Sequence, residues 1–272
     1  MRGRRSRGRP GWTRTCSAPR RRDPSVPVGR PSPAVRRESR AISDVIQGSS
    51  GDDRTGILVY TRTAGFRHDS IPAGITALTE LAGGLGLTAL ATEDPSAFTP
   101  DRLRRHRAVV FLSTTGEVLD DRGREALRDY LAHGGGWMGV HSAAGTEYDW
   151  PYYEGLVGAR FDGHPPLSRA SVDVADRDHD ATAHLGPRWT LDDEWYNFRG
   201  QPPSSARLLL TIDESQYQGG TMGAVHPLAW CRDYGGGRSF YTALGHTDEA
   251  YADPAFRRHL LGGLRYAAGI GS

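Results

Sequence analysis

A chain of 272 residues with 37% hydrophobic side chains can bury one sizeable core, and no apolar run nears the roughly 18 residues of a membrane span. The formal net charge of +2 hides an asymmetry: residues 1–55 carry 14 arginines against 5 acidic residues, and residues 56–272 carry 20 against 27, so the larger part offers no nucleic-acid surface. Lysine is absent, which excludes Schiff-base chemistry and a lysine-dependent phosphate loop, while Cys16 and Cys231 allow no disulfide framework in the larger part.

Residues 1–55 are rich in Arg, Pro, Ser and Gly and poor in apolar side chains. Such a composition cannot offset the entropy of ordering, so a disordered tail is expected. It holds no apolar stretch of the kind a secretory signal needs. A basic arm for an acidic surface and a non-functional extension from an over-long start both fit it; the second is the simpler account.

From residue 56 strands and helices alternate. Ile57–Thr61 reads as a buried first strand, followed by the loop T-A-G-F-R-H-D-S, with Ser70 expected to cap a helix that Gly83-Gly84 stops. Leu87–Ala91 and the fully apolar Ala108–Ser113 are the next strands, the latter in the manner of a central parallel strand. Asp120 and Asp121 open a second helix that ends at Gly134, and Trp137–Val140 is a fourth strand. This order predicts βαβ units and a parallel sheet. After residue 165 the runs 171–174, 207–212, 224–231 and 238–244 look like strands without long helices, a β-rich elaboration whose last strand returns to the sheet. Asp253-Pro254 then starts a closing helix that Gly269 ends. One domain over 56–272 is expected.

In open α/β sheets ligands bind beyond the carboxyl ends of the strands. His68, Thr114 and Thr115, His141 and Ser142, and His246 all follow strands there, and this convergence is the main functional signal of the chain. Gly139-Val140-His141-Ser142-Ala143 has the shape of a nucleophile elbow with histidine at its apex, so His141 is a candidate base or metal ligand. Ser142, one position past the apex, is a weaker nucleophile candidate. His246, in A-L-G-H-T-D, stands with His141, and Glu194 beside Trp195 and Tyr196 is a candidate general acid if the aromatics raise its pKa. Trp150, Trp195, Tyr196 and His226 are candidate substrate contacts, although aromatics in this number also serve plain packing and His226, like His164, precedes a proline. His179 and His184 match no zinc spacing, and His106, His133 and His259 are placed on helix surfaces without a role.

The segments T-A-G-F-R-H-D-S-I-P, F-L-S-T-T-G, G-V-H-S-A-A-G-T-E-Y-D-W-P, D-E-W-Y-N-F, G-G-T-M-G-A-V-H-P-L-A-W-C and G-R-S-F-Y-T-A-L-G-H-T resemble, in order, the ThuA-like (trehalose-utilisation) family over about residues 57–269. The resemblance implies a class I glutamine amidotransferase-like fold, a flavodoxin-like three-layer α/β sandwich with a mostly parallel sheet, here with a β-rich insertion. True amidotransferases carry cysteine at the elbow. Here His141 takes that place and Cys231 lies in a strand, so thiol-dependent glutamine hydrolysis is not expected. His246 matches the family's G-H-T and Glu194 its D-E-x-Y.

What the resemblance implies is carbohydrate catabolism on trehalose-type or 3-keto glycosides, with a small-molecule sugar as partner, no nucleic acid, no membrane and a cytoplasmic location. A 3-keto group acidifies the C2 proton, so elimination or net hydrolysis would need a base, His141 or His246, and an acid, Glu194 or Tyr196. His68 or a divalent metal would stabilise the enolate, no cofactor being required with certainty. The alternative is a non-catalytic carbohydrate-binding or regulatory domain on the same fold; a serine hydrolase using Ser142 is a third reading.

Overall fold

The computed structural model describes residues 54–271, so the expectation of a disordered basic tail lies outside the described residues. Five parallel strands form the heart of the sheet: β1 (Gly56–Tyr60), β2 (Thr88–Thr92), β3 (His106–Leu112), β4 (Gly136–Val140) and, from the far end of the chain, β11 (Gly237–Thr242). Their order, β2-β1-β3-β4-β11, is of the flavodoxin type and brings the last strand beside the fourth. β1, β4 and β11 are buried nearly throughout, whereas β2 holds only exposed and half-buried residues because it is an edge. The purely apolar runs are therefore central strands, as their composition requires.

Helices cover both faces. The helices α1 (Ile71–Gly84) and α6 (Pro254–Ala268) pack together over β1, β3, β4 and β11, with the short α5 (Asp248–Ala252) beside them. The short α2 (Pro100–Leu103), α3 (Asp121–Ala132) and α4 (Pro151–Val157) lie on the other face. Asp120 accepts the Gly123 amide at 2.7 Å to start α3, and Asp253 accepts the Ala255 and Phe256 amides at 2.7 and 2.9 Å to start α6, so two expected caps are present. Ser70 makes no cap: its hydroxyl donates to Gly245 O at 3.4 Å and ties the loop after β1 to the turn after β11.

The β-rich stretch continues the same sheet. β10 (His226–Tyr234), β9 (Arg207–Ile212), β6 (Ser168–Val174) and β7 (Arg188–Asp193) follow β11 in that order, each antiparallel to its neighbour, while β5 (Phe161–Gly163) and β8 (Asn197–Phe198) pair separately. Two histidines depart from their expected place. His106 heads β3, and His259 is wholly buried in α6, where its ring contacts Ala181 O and the Thr242 hydroxyl.

Close approach of β4 to α6 depends on a missing side chain. A Cβ on Gly136 would stand 1.7 Å from Ala267 O, a backbone atom that cannot step aside. Gly136→Ala is expected to lower unfolding stability by about 1–3 kcal/mol or more, measured by denaturant titration; an unchanged midpoint would show that α6 is free to shift.

Candidate metal centre at the carboxyl edge of the sheet

The chain leaves β4 at Val140 and turns at His141, whose φ of +55° lies in the left-handed region that non-glycine residues rarely occupy. Two contacts hold it there. The Tyr241 hydroxyl donates to His141 O at 2.8 Å, and His141 Nδ1 lies 2.7 Å from Ala243 O. A carbonyl can only accept, so Nδ1 carries the proton and Nε2 is left with a lone pair. That nitrogen faces inward, 3.1 Å from His68 Nε2, 3.3 Å from His246 Nδ1, 3.5 Å from Glu194 Oε2 and 2.7 Å from the Tyr196 hydroxyl.

The other members arrive from three further strand ends. His68 lies in the loop after β1 and Glu194 directly follows β7, with its Oε2 3.2 Å from His246 Nδ1. His246 follows β11 through Gly245, whose φ of +115° suits a residue without Cβ; a Cβ there would stand 2.8 Å from the Tyr251 hydroxyl. Beneath them is Asp193, fully buried. Its Oδ1 accepts the amides of Glu194 at 2.8 Å and His246 at 3.2 Å, and its Oδ2 accepts that of Gly245 at 2.8 Å. One carboxylate thus fixes the backbone of two members of the cluster.

The electrostatics keep His68 neutral and Glu194 ionised. Burial, reinforced by the neighbouring histidines, pushes His68 down to about 3. Burial alone would raise the Glu194 carboxyl, but hydrogen bonds and charge from His141 and His246 outweigh it and hold the group well below the usual range. The Glu194 hydrogen bond raises His246 in return, and burial raises Asp193. Burial also keeps the Tyr196 phenol protonated, far above its ordinary value. Glu194 was expected to have a raised pKa and act as an acid; with imidazole nitrogens at both oxygens it is an ionised acceptor instead.

The inward atoms of His68, His141, Glu194 and His246 all lie within 4.8 Å of one another. Ligand atoms about 2.1 Å from one tetrahedral ion stand roughly 3.4 Å apart, and the closer separations here match that spacing without movement of the backbone. Three imidazoles and a carboxylate form a donor set for a first-row divalent transition ion, not for the all-oxygen shell of magnesium or calcium. The residues present therefore fit a metal.

The remaining candidates divide. Tyr196 belongs to the centre. His226 is wholly buried and supports it from behind, with Nε2 donating to Tyr196 O at 2.8 Å and Nδ1 near the Tyr217 hydroxyl and Glu214. Thr115 pins the loop carrying His68, its hydroxyl donating to Phe66 O at 2.8 Å, while Thr114 is buried against Thr146. Trp150 is stacked on Tyr152 and Tyr153, and Trp195 is buried with its indole N–H donating to Ser168; both rings are engaged in packing. Ser142 Oγ lies 3.4 Å from His68 Nδ1 and supports that ring. Two residues of the site had been given no role, His164 and Asp193. His164 Nδ1 stands 3.4 Å from Glu194 Oε1, and its ring stacks on Tyr196 with centroids 5.6 Å apart. Asp193, in D-D-E-W-Y, was recoverable only as an acidic neighbour of Glu194.

A family model described as trehalose utilisation, ThuA, matches residues 56–267. Among solved structures, a protein of Bacteroides uniformis named as ThuA-like is 22% identical, with a TM-score of 0.67 over 79% of this chain and 91% of its own. One from Parabacteroides merdae, also named as ThuA-like, is 20% identical, with a TM-score of 0.65 over 79% and 90%. A cytoplasmic protein of Salmonella typhimurium is 14% identical, with a TM-score of 0.58 over 78% and 99%. At these identities the likeness is one of fold. No curated protein matches the chain, and no helix among the described residues is long and apolar enough to cross a membrane.

The lowered histidines set a pH dependence. Below an ordinary value of 6.5 the unfolded chain protonates imidazoles that the fold keeps neutral, His68 down to about 3 and His259 to about 4. Their contribution to stability is complete above pH 6.5 and is lost as pH falls through that window. Metal-free protein should lose thermal stability from about pH 6.5 to pH 4, and His68→Gln should flatten the slope whatever its absolute Tm. Equal slopes in the two proteins would contradict the neutral state assigned to His68.

Proposed function

The chain belongs to the ThuA family of trehalose utilisation, and from that premise we propose that it is a metal-dependent enzyme acting on trehalose-type or 3-keto glycosides by elimination or net hydrolysis. One observation carries the reading: four sequence-distant residues, His68, His141, Glu194 and His246, turn their ligand atoms to one point. The family description points to carbohydrate metabolism, and the chemistry below is our inference from the residues.

His68, His141, Glu194 and His246 would hold the ion, which when bound supplies positive charge against an oxyanion developing on the substrate. Proton movement falls to their neighbours. Tyr196 keeps its proton and presents it at the centre, so it suits protonation of the leaving oxygen at C1. His164 Nδ1 lies 2.9 Å from Pro165 O and donates to it, leaving Nε2 free, and its side chain is part-exposed beside Glu194. With the inward nitrogens of His141 and His246 committed to the centre, His164 is the better base for the C2 proton. The C2–H electron pair then forms the C1–C2 double bond as the C1–O bond breaks and Tyr196 gives its proton to the departing alcohol. Addition of water to that product completes net hydrolysis.

Elemental analysis of the purified chain, together with turnover on a panel of plain and 3-keto disaccharides, tests the reading. About one equivalent of a transition metal and turnover of a keto substrate are expected. Glu194→Gln and His141→Ala should lose metal and turnover together, whereas Tyr196→Phe should keep the metal and lose most turnover, by roughly 100-fold or more. Full activity in His141→Ala would remove the site. Sugar binding with no turnover under any metal would favour the non-catalytic alternative.

A further inference from the structure

Among the described residues, a cavity lined by His68 and His246 opens on the centre. It encloses about 260 Å³ between the loop after β1 and the start of α5, and is lined by Phe66, His68, Asp69, Ser70, His246, Thr247, Asp248 and Glu249. Two of the four cluster residues, His68 and His246, line it; His141 and Glu194 do not. A molecule in this cavity therefore meets the His68–His246 side of the centre first.

Two features of its wall bear on what enters. The first is Phe66, 69% exposed, with its ring edge-on to the His68 imidazole at a centroid distance of 4.8 Å and 85° between planes. Its loop is pinned: the Thr115 hydroxyl donates to Phe66 O at 2.8 Å, the Gly65 amide donates back to that hydroxyl at 3.2 Å, and Arg67 donates to Thr61 O at 2.9 Å. The ring is thus held out in water beside the centre by a fixed backbone. The second feature is charge. Among the described residues, Asp69, Asp248 and Glu249 line the cavity without any arginine, and the nearby Arg67 is turned away into a 2.7 Å ion pair with Glu93. An anion entering here would meet three carboxylates and no arginine among the described residues of the wall.

We propose that this cavity is the subsite for an uncharged, polyhydroxylated sugar ring, stacked on Phe66 and hydrogen-bonded through its hydroxyls to Asp69 and Asp248, and that its wall rejects phosphorylated sugars. The proposal rests on the glycoside reading above and narrows it to neutral substrates. Aromatic faces take the C–H surface of a sugar, and carboxylates accept from vicinal hydroxyls while repelling a phosphate. At the centre Glu194 offsets part of the charge of a divalent ion, so the wall carboxylates still weigh against a phosphate.

The test is calorimetric binding of trehalose, 3-keto-trehalose and trehalose 6-phosphate to the metal-loaded full chain, at low salt and at 1 M salt. The neutral sugars should bind at least about tenfold tighter than the phosphate at low salt, with the gap narrowing at high salt. Asp69→Asn/Asp248→Asn should close most of the gap with metal content unchanged, and Phe66→Ala should weaken the neutral sugars by about 3- to 10-fold. Phosphate bound as tightly as the neutral sugar, or a preference that survives all three substitutions, overturns the subsite; turnover of the keto sugar in that event leaves the enzyme reading standing. If no sugar binds and none is turned over, both readings fall.

Discussion

The centre depends on the hydrogen bond between His141 Nδ1 and Ala243 O, 2.7 Å across the junction of β4 and β11. It decides which nitrogen of His141 bears the proton, and so turns the lone pair of Nε2 toward the other members of the cluster. The bond exists because β11, though 102 residues later in the chain, pairs in parallel register with β4 and delivers Ala243 just past Thr242, the partner of Val140. The strained turn at His141 is held by the same strand, through the Tyr241 hydroxyl. Fold and site therefore share one constraint: the closing strand must sit beside the elbow strand.

The residue type at the turn after β4 decides what that position can do. A cysteine at such a turn would be a nucleophile; a histidine whose Nδ1 is tied to a carbonyl presents a rigidly held Nε2. The free cysteine of the described residues does not restore thiol chemistry. Cys231 is buried in β10, where desolvation pushes its thiol up to about 11, so at neutral pH it is an inert core side chain.

Much of this was legible in the sequence, for reasons of range. Apolar runs mark β1, β3 and β4 because central parallel strands are buried on both faces, and Asp120, Asp253 and Gly269 mark helix ends through contacts within a few residues. His68, His141 and His246 were visible because strand ends are where open sheets place ligands. Geometry between remote segments was not legible. Asp193 acts on Gly245 and His246, some 52 residues away, and nothing local distinguishes it from Asp192 beside it, whose side chain pairs outward with Arg169. His164 looked like an ordinary residue before proline until β5 and β8 brought it against Tyr196. His259 was misplaced because a helix position alone does not tell that Ala181 packs over it.

Glu194 shows most clearly why residue type is a poor guide to role. A carboxylate beside Trp195 and Tyr196 suggests an apolar pocket and a raised pKa, and the pocket is indeed buried. Yet desolvation, which would raise the carboxyl, is outweighed by hydrogen bonds and charge from His141 and His246, which are its neighbours rather than the two aromatics. Trp195 turns to Ser168, and Tyr196 directs its hydroxyl past Glu194 to His141. In the proposed mechanism the proton-donor role suggested for the carboxylate passes to a phenol two residues on, while the carboxylate joins the imidazoles. Three adjacent residues, Asp193, Glu194 and Trp195, followed by Tyr196, divide the work: one fixes backbone, one faces the centre, one fills the core and one keeps a proton where charge would develop.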